Sequence, residues 1–206
     1  MNQDNFIFPV YFDTAEGPDM HGNGFFIENY FVSAAHVVEE EPSVCSAPYI
    51  IIFGNKVFLN NENLLFREYT VNDSDSDTYE KNDAADIVVY KVNGINSPLR
   101  LAEKLPMSGQ QLSCNFYHKK PLPEGNATNN HQSFLWRTTG VVQEFVPKVP
   151  NFFIAKMEPR HPFKGSSGSP LFKGDKVYGI LHSGGDDICG FFATAYAVEL
   201  LYHYTK

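Results

Sequence analysis

Hydrophobic positions in this chain fall in short runs of aromatic and β-branched residues, separated by Gly, Pro and Asn. Such runs predict β-strands. The predicted strands are 6–12, 24–33, 49–59, 64–70 and 87–92 in the first half, and 111–117, 133–146, 152–158, 171–172, 177–181 and 190–195 in the second. Near the C-terminus, Ala197, Leu200, Leu201 and Tyr204 follow a helical spacing and predict a helix over 195–204.

This strand count predicts an all-β protein built from two six-stranded antiparallel β-barrels with a short C-terminal helix. The stretch 96–108, which contains Pro and Gly, is interpreted as the connection between the two halves. The expected domains are an N-terminal barrel over 1–100 and a C-terminal barrel with the helix over 101–206. A chain of 206 residues is long enough for this arrangement.

Composition and charge narrow the class of protein. Apolar residues make up 43% and charged residues 19%, which is ordinary for a soluble globular chain. A formal net charge of -8 argues against nucleic acid or an anionic membrane as the main partner, because both favour a basic surface. No apolar run approaches the length that crosses a bilayer.

The cysteine content predicts a reducing environment. Cys45, Cys114 and Cys189 are odd in number and show no CxxC spacing, whereas secreted β-rich domains carry an even disulfide set. The N-terminus has neither a basic region nor a long apolar one of the kind found in signal peptides. We therefore expect an intracellular location.

An acidic segment, 72–83, begins like a calcium-binding loop. Asp73, Asp75 and Asp77 alternate, but the sixth position is Thr78 and the twelfth is Ala84, where such a loop needs Gly and Glu. We interpret this segment as a solvated surface loop, and we expect neither a metal nor another cofactor.

The candidate chemistry lies in three separated fragments. These are Ser33-Ala34-Ala35-His36, Asp86-Ile87-Val88-Val89 and Gly165-Ser166-Ser167-Gly168-Ser169-Pro170. A serine hydroxyl becomes a nucleophile when a base takes its proton, so Ser167 is the expected nucleophile and His36 the expected base. Asp86 would accept a hydrogen bond from the other ring nitrogen of His36 and so fix its tautomer.

The glycines beside Ser167 fit the same chemistry. Gly165 and Gly168 permit a tight turn that exposes Ser167, because glycine adopts positive φ at little cost. The backbone N–H groups of Gly165 and Ser167 would then form an oxyanion hole.

Other residues compete for these roles. Asp83 could replace Asp86, but Asp86 directly precedes the apolar strand. Ser166 and Ser169 flank Ser167, which alone has Gly directly after it and Gly two positions before it. Cys114 could act as a nucleophile only with its own base and a glycine-flanked turn, and its sequence neighbours supply neither.

Five fragments in this order resemble the trypsin/chymotrypsin-fold serine proteases over most of the chain. Besides the three fragments above, they are Gly22-Asn23-Gly24-Phe25 and the strand from Gly179 to Gly184. The resemblance implies a chymotrypsin-like double barrel and a serine endopeptidase that forms an acyl-enzyme on protein or peptide substrates without a cofactor.

The chain also departs from part of that family. Secreted digestive members carry Asp directly before the nucleophile, where this chain has Ser166, and it has no Ile-Val-Gly-Gly start. It is more similar to the HtrA/Deg, glutamyl endopeptidase and viral types. Any gate on activity would be a partner, oligomerisation or a mobile loop. A latent protease and a catalytically silent binding module are the alternatives to an active enzyme.

The resemblance also places the pocket for the residue before the cut, P1. It implies that His161, His182, Ser183 and Gly184 bind substrate. A histidine pair can bind an acidic or amide side chain through charge-assisted hydrogen bonds, and the missing pocket acid argues against cutting after Arg or Lys. In the alternative interpretation, His182 packs beside the catalytic residues and the pocket is apolar.

Overall fold

The computed structural model describes residues 3–39, 45–69, 85–119, 133–146, 149, 151–160, 163–185 and 187–204. The first sheet consists of Ile7–Thr14 (β1), Gly17–Ile27 (β2), Tyr30–Ser33 (β3), Tyr49–Ile52 (β4), Asn55–Phe58 (β5), Leu64–Tyr69 (β6) and Asp86–Lys91 (β7). The second consists of Arg100–Leu101 (β8), Gln111–His118 (β9), Phe134–Phe145 (β10), Phe152–Glu158 (β11), Pro170–Lys173 (β12), Lys176–Gly184 (β13) and Ile188–Ala193 (β14).

Short helices complete the described structure. An α-helix, α1, spans Ala195–Tyr204, where the sequence predicts it, and 3-10 turns span Gln3–Phe6 and Ala35–Val38. Among the described residues, no helix is long and apolar enough to cross a membrane.

Each sheet curls on itself, and the predicted all-β double barrel is confirmed. The second sheet runs β12-β9-β10-β11-β14-β13-β8, and pairing of β12 with β13 closes six of these strands into a barrel. The first sheet runs β5-β4-β1-β2-β3-β7-β6 and forms a curled half-barrel rather than a closed one of six strands.

Part of the connection between the halves belongs to the second sheet. The short strand β8 pairs parallel to β13, with Arg100 opposite Lys176 and Leu101 opposite Val177. The predicted boundary between positions 100 and 101 therefore falls inside β8, and the division into two domains stays a prediction.

Two of the predicted strands contain turns. The run 24–33 bends at Glu28, where φ is 52°, and the run 49–59 turns at Phe53 and Gly54, with φ of 48° and 80°. Left-handed backbone at Glu or Phe is uncommon, so residue type gives little sign of the first turn, and Gly54 is the one signal of the second. Each predicted strand is therefore two strands of a hairpin.

Each half of the chain supplies its own hydrophobic core. The first core packs Phe25, Phe26 and Phe31 against the apolar strand β7. It also takes in Phe172, Val177 and Ile180 from the second half. The second core includes the buried aromatics Phe116, Trp136, Phe153 and Phe191. Because burial of each such ring stabilises the fold by roughly 1.5–3 kcal/mol, the shared apolar contacts hold the halves together.

The carboxylate of Asp4 links the N-terminal turn to the second sheet through an ion pair and hydrogen bonds. Asp4 is 7% exposed, and its carboxylate accepts hydrogen bonds from Asn115 Nδ2 at 2.5 Å and from Arg137 Nε at 2.9 Å. The first residues of the chain thereby fasten the first half to strands β9 and β10.

Candidate active site

The sheet topology brings His36 and Asp86 together. Strands β3 and β7 pair antiparallel with Ser33 opposite Val88, so the end of β3 lies beside the start of β7. His36 follows β3 in a 3-10 turn, and Asp86 is the first residue of β7. Residues 50 positions apart thus become neighbours.

The Asp86 carboxylate is buried and holds His36 at two points. Oδ1 accepts the backbone N–H of His36 at 3.0 Å, and Oδ2 lies 2.6 Å from His36 Nδ1. The Asp86 side chain has no exposed surface, whereas 27% of the His36 side chain is exposed. Burial alone would raise the pKa of Asp86, but hydrogen bonds from His182 and His36 outweigh it and hold that pKa well below its usual range.

A second imidazole shares the same carboxylate oxygen. His182 Nδ1 lies 2.5 Å from Asp86 Oδ2, and the rings of His36 and His182 stand nearly perpendicular with centroids 5.3 Å apart. Among the described residues, these three side chains form the one group whose possible metal-ligand atoms all lie within 4.8 Å. Their spacing is that of hydrogen bonds, with both nitrogens directed at one oxygen.

The expected nucleophile sits on a turn that requires glycine at both sides. Gly165 has φ of 87° and Gly168 has φ of 81°. A Cβ added to Gly168 would lie 2.0 Å from the backbone oxygen of Asn23, whereas one added to Gly165 would meet nothing within 4 Å. Gly168 is thus required by both conformation and space, and Gly165 by conformation alone.

The three neighbouring serines differ in burial and in partners. Ser166 and Ser169 are fully buried, and their hydroxyls donate to the backbone oxygens of Phe163 and Ser166. Ser167 is half-buried, and its Oγ donates to the backbone oxygen of His182 at 3.2 Å. Within the described part of the chain, no hydrogen bond joins Ser167 to His36. The structure thus brings the three expected triad residues to one place with the serine hydroxyl turned toward His182.

The backbone N–H groups of the turn fall into two sets. Ser166 N–H donates to Phe163 O at 3.0 Å, and Gly168 N–H donates to Leu181 O at 2.7 Å. The N–H groups of Gly165 and Ser167, the expected oxyanion hole, donate to no acceptor among the described residues. With no described acceptor, these two amides have the free donors that an oxyanion hole requires.

Asn23 is a site residue that the sequence did not single out. It is fully buried, its backbone N–H donates to Ser167 O at 2.8 Å, and its side-chain Nδ2 donates to Gly165 O at 3.3 Å. The one sequence signal was its place between two glycines in the Gly22–Phe25 fragment. It ties the first sheet directly to the nucleophile turn.

The expected substrate-binding residues are partly described. Ser183 and Gly184 are exposed at the end of β13, and His182 is committed to Asp86 through Nδ1. A Cβ on Gly184 would lie 2.7 Å from Cys189 Sγ and 2.9 Å from Phe163 Cβ, so this strand end packs tightly on the core. The structure does not describe His161, Asp83 or the acidic segment 72–83, so the predictions about them lie outside the described residues.

Cys114 is placed as a core residue. It is fully buried, and burial raises the pKa of its thiol far above the ordinary value. All three cysteines are free thiols. A buried, protonated thiol does not act as a nucleophile, so Cys114 offers no alternative to Ser167.

Comparison with solved structures identifies the fold. Mouse neuropsin, a serine protease of the limbic system, is 12% identical over 98% of this chain and 95% of its own, with a TM-score of 0.68. A scabies mite inactivated protease paralogue is 14% identical over 98% and 94%, with a TM-score of 0.62. The serine protease of a human pathogenic astrovirus is 17% identical over 94% and 91%, with a TM-score of 0.53.

No protein-family model and no curated protein sequence matches this chain. The similarity is therefore one of structure, at identities that establish the fold alone. The chain has the chymotrypsin fold, the architecture of these serine proteases.

Proposed function

We propose that this protein is a serine endopeptidase that uses Ser167 as nucleophile, His36 as general base and acid, and Asp86 as the group that orients His36. The observation that supports it most is the buried Asp86 carboxylate, whose Oδ2 lies 2.6 Å from His36 Nδ1. An ionised carboxylate only accepts hydrogen bonds, so His36 carries its proton on Nδ1 and leaves Nε2 free to take another.

The proposed reaction has two halves. Ser167 Oγ attacks the peptide carbonyl carbon while its proton passes to His36 Nε2, and the N–H groups of Gly165 and Ser167 bind the oxyanion. The C–N bond then breaks, and His36 returns the proton to the leaving amine. Water attacks the resulting ester by the same proton route, which releases the acid and restores Ser167.

This proposal requires one local rearrangement. Ser167 Oγ donates to His182 O at 3.2 Å, and it must rotate about its Cα–Cβ bond to reach His36. Catalytic hydrogen bonds often tighten only when substrate is bound, so this geometry is compatible with an active enzyme.

The same hydrogen bond also supports a second candidate, a latent protease that an activating partner switches on. One structural neighbour is itself described as an inactivated protease paralogue, so the fold also occurs without activity. The activating partner, the intracellular location and the absence of nucleic-acid or membrane binding stay predictions.

An acidic or amide P1 residue is the finer proposal on specificity. Because Nδ1 of His182 is held by Asp86, its Nε2 is the atom left for a P1 side chain, as an acceptor from an amide or, when protonated, as a donor to a carboxylate. Cleavage of a peptide library by wild type, His161→Ala and His182→Ala tests this. An unchanged P1 profile in both variants would contradict the proposal that these histidines form the P1 pocket.

The primary test is labelling with a fluorophosphonate probe, read by intact mass. The serine oxygen displaces fluoride from phosphorus, so one adduct reports a competent nucleophile and base. We expect one adduct on wild type, none on Ser167→Ala and one on Ser108→Ala, whose serine is exposed and outside the proposed site. Folded wild type without an adduct would contradict the active enzyme and favour the latent form or a binding role.

A further inference from the structure

His182 touches both ends of the proposed catalytic machinery. Its Nδ1 lies 2.5 Å from Asp86 Oδ2, and its backbone oxygen accepts the hydroxyl of Ser167 at 3.2 Å. A P1-pocket residue needs neither contact. The pair of contacts indicates a role inside the catalytic group itself.

The carboxylate of Asp86 is fixed at both oxygens. Oδ1 accepts the backbone N–H of His36, and Oδ2 receives the Nδ1–H groups of His36 and His182. Without His182, both contacts to the carboxylate would come from His36 itself, so Asp86 and the His36 imidazole could shift together. The donor from His182 opposes this shift, since it anchors Oδ2 to strand β13 of the second sheet.

The ring of His182 is itself held in place. Phe152 and Phe192 contact it in edge-on geometry, with centroids 6.1 Å and 5.3 Å from its own, and its side chain is 16% exposed. These aromatic contacts leave the imidazole few orientations. A ring held this firmly can place its Nδ1–H at one position relative to Asp86.

We propose that His182 is a positioning residue that acts through Asp86 to fix the orientation and the Nδ1–H tautomer of His36. This inference rests on the proposed serine protease function. In this role, His182 of the C-terminal half sets the geometry of His36, the proposed base, in the N-terminal half. Substrate recognition by Nε2 of His182 is a separate property, and an experiment that needs no P1 side chain distinguishes it from positioning through Nδ1.

The test compares two substitutions of His182, one that removes its N–H donor and one that keeps such a donor. His182→Phe keeps an aromatic ring among Phe152 and Phe192 but removes the N–H donor. His182→Asn restores a side-chain N–H at about the distance of Nδ1 from the backbone. The rate of fluorophosphonate adduct formation at Ser167 is the readout, because this probe needs no P1 side chain.

We expect His182→Phe to label about tenfold to a hundredfold more slowly than wild type, which is the usual effect of losing one hydrogen bond to a charged group. His182→Asn should recover most of the rate. Equal rates for wild type and His182→Phe would overturn the proposal while leaving the serine protease function intact. Wild type that takes no label would count against the protease function instead.

A second measurement tests the positioning role of His182 without depending on enzyme activity. In protein labelled with ¹⁵N-histidine, strong hydrogen bonds to Asp86 should give two Nδ1–H proton signals far downfield of the amides. In His182→Phe, one signal should vanish, and the signal of His36 should shift and exchange faster with water. A His36 signal unchanged in position and exchange rate would overturn the proposal.

Discussion

The side chain of Asn23 pairs with both backbone groups of Tyr117, as a neighbouring strand would. Its Nδ2 donates to Tyr117 O at 3.0 Å, and its Oδ1 accepts Tyr117 N–H at 2.7 Å. The first residue belongs to β2 of the first sheet and the second to β9 of the second sheet. One buried amide therefore joins the two sheets directly behind the nucleophile turn.

Removal of this amide should destabilise the whole protein. Asn23→Ala leaves the N–H and C=O of Tyr117 and the C=O of Gly165 without their partner. These groups are half-buried, so each loss costs toward the lower end of about 1–3 kcal/mol. We expect the free energy of unfolding in urea to fall by about 3 kcal/mol or more. Asn61→Ala, at an exposed position, is the control and should change little. Equal stabilities of the two variants would show that Asn23 is dispensable.

The two glycines of the nucleophile turn should differ in their tolerance of alanine. Gly165→Ala meets open space and should lose only the roughly 1–2 kcal/mol of a left-handed alanine. Gly168→Ala adds to this a clash with the backbone of Asn23 and the hydroxyl of Ser33, so it should lose considerably more. Thermal unfolding of both variants measures the difference. A Gly168→Ala protein as stable as Gly165→Ala would contradict this packing.

Asp86 should make stability depend on pH in the acid range. Its pKa is lowered in the folded state, so as pH falls the unfolded chain takes up this proton first. The stabilisation is therefore complete above the unfolded pKa of about 3.9 and is lost as pH falls through the folded pKa. Urea titrations of wild type and Asp86→Asn should show a stability difference that shrinks below about pH 4. The exposed Asp175→Asn should show no comparable trend, and a constant difference for Asp86→Asn would contradict the role of the charge.

The thiols should react in two classes. Burial raises the pKa of Cys189 to about 12 and raises that of Cys114 further, whereas Cys45 is exposed. Iodoacetamide near neutral pH should therefore add one label to native protein and three after unfolding in urea, as counted by intact mass. Two or three labels on native protein would show that the core opens around these cysteines.

Local patterns predicted much of this structure. The terminal helix follows from apolar spacing, and the all-β class follows from short aromatic and β-branched runs. The three catalytic residues were proposed from local fragments, because small residues precede His36 and glycines that permit a tight turn surround Ser167. Such signals can be read from a few adjacent positions.

The remaining features depend on contacts between distant positions. His182 was expected to line a P1 pocket or, in the alternative, to pack beside the catalytic residues, and its hydrogen bond to Asp86 joins residues 96 positions apart. Asn23 gained importance only when Tyr117, 94 positions away, proved to be its partner. The turns at Glu28 and Phe53 were missed because each begins at a residue type that rarely adopts a left-handed backbone.

The exposed turn at Asn93 and Gly94, between β7 and β8, separates the site residues of the first half from those of the second. A break there would give one fragment with His36 and Asp86 and another with Ser167 and His182. Neither fragment could assemble the site alone, so turnover by the proposed enzyme would measure their reassociation. The protein would then serve as a split reporter whose signal depends on docking of its two halves.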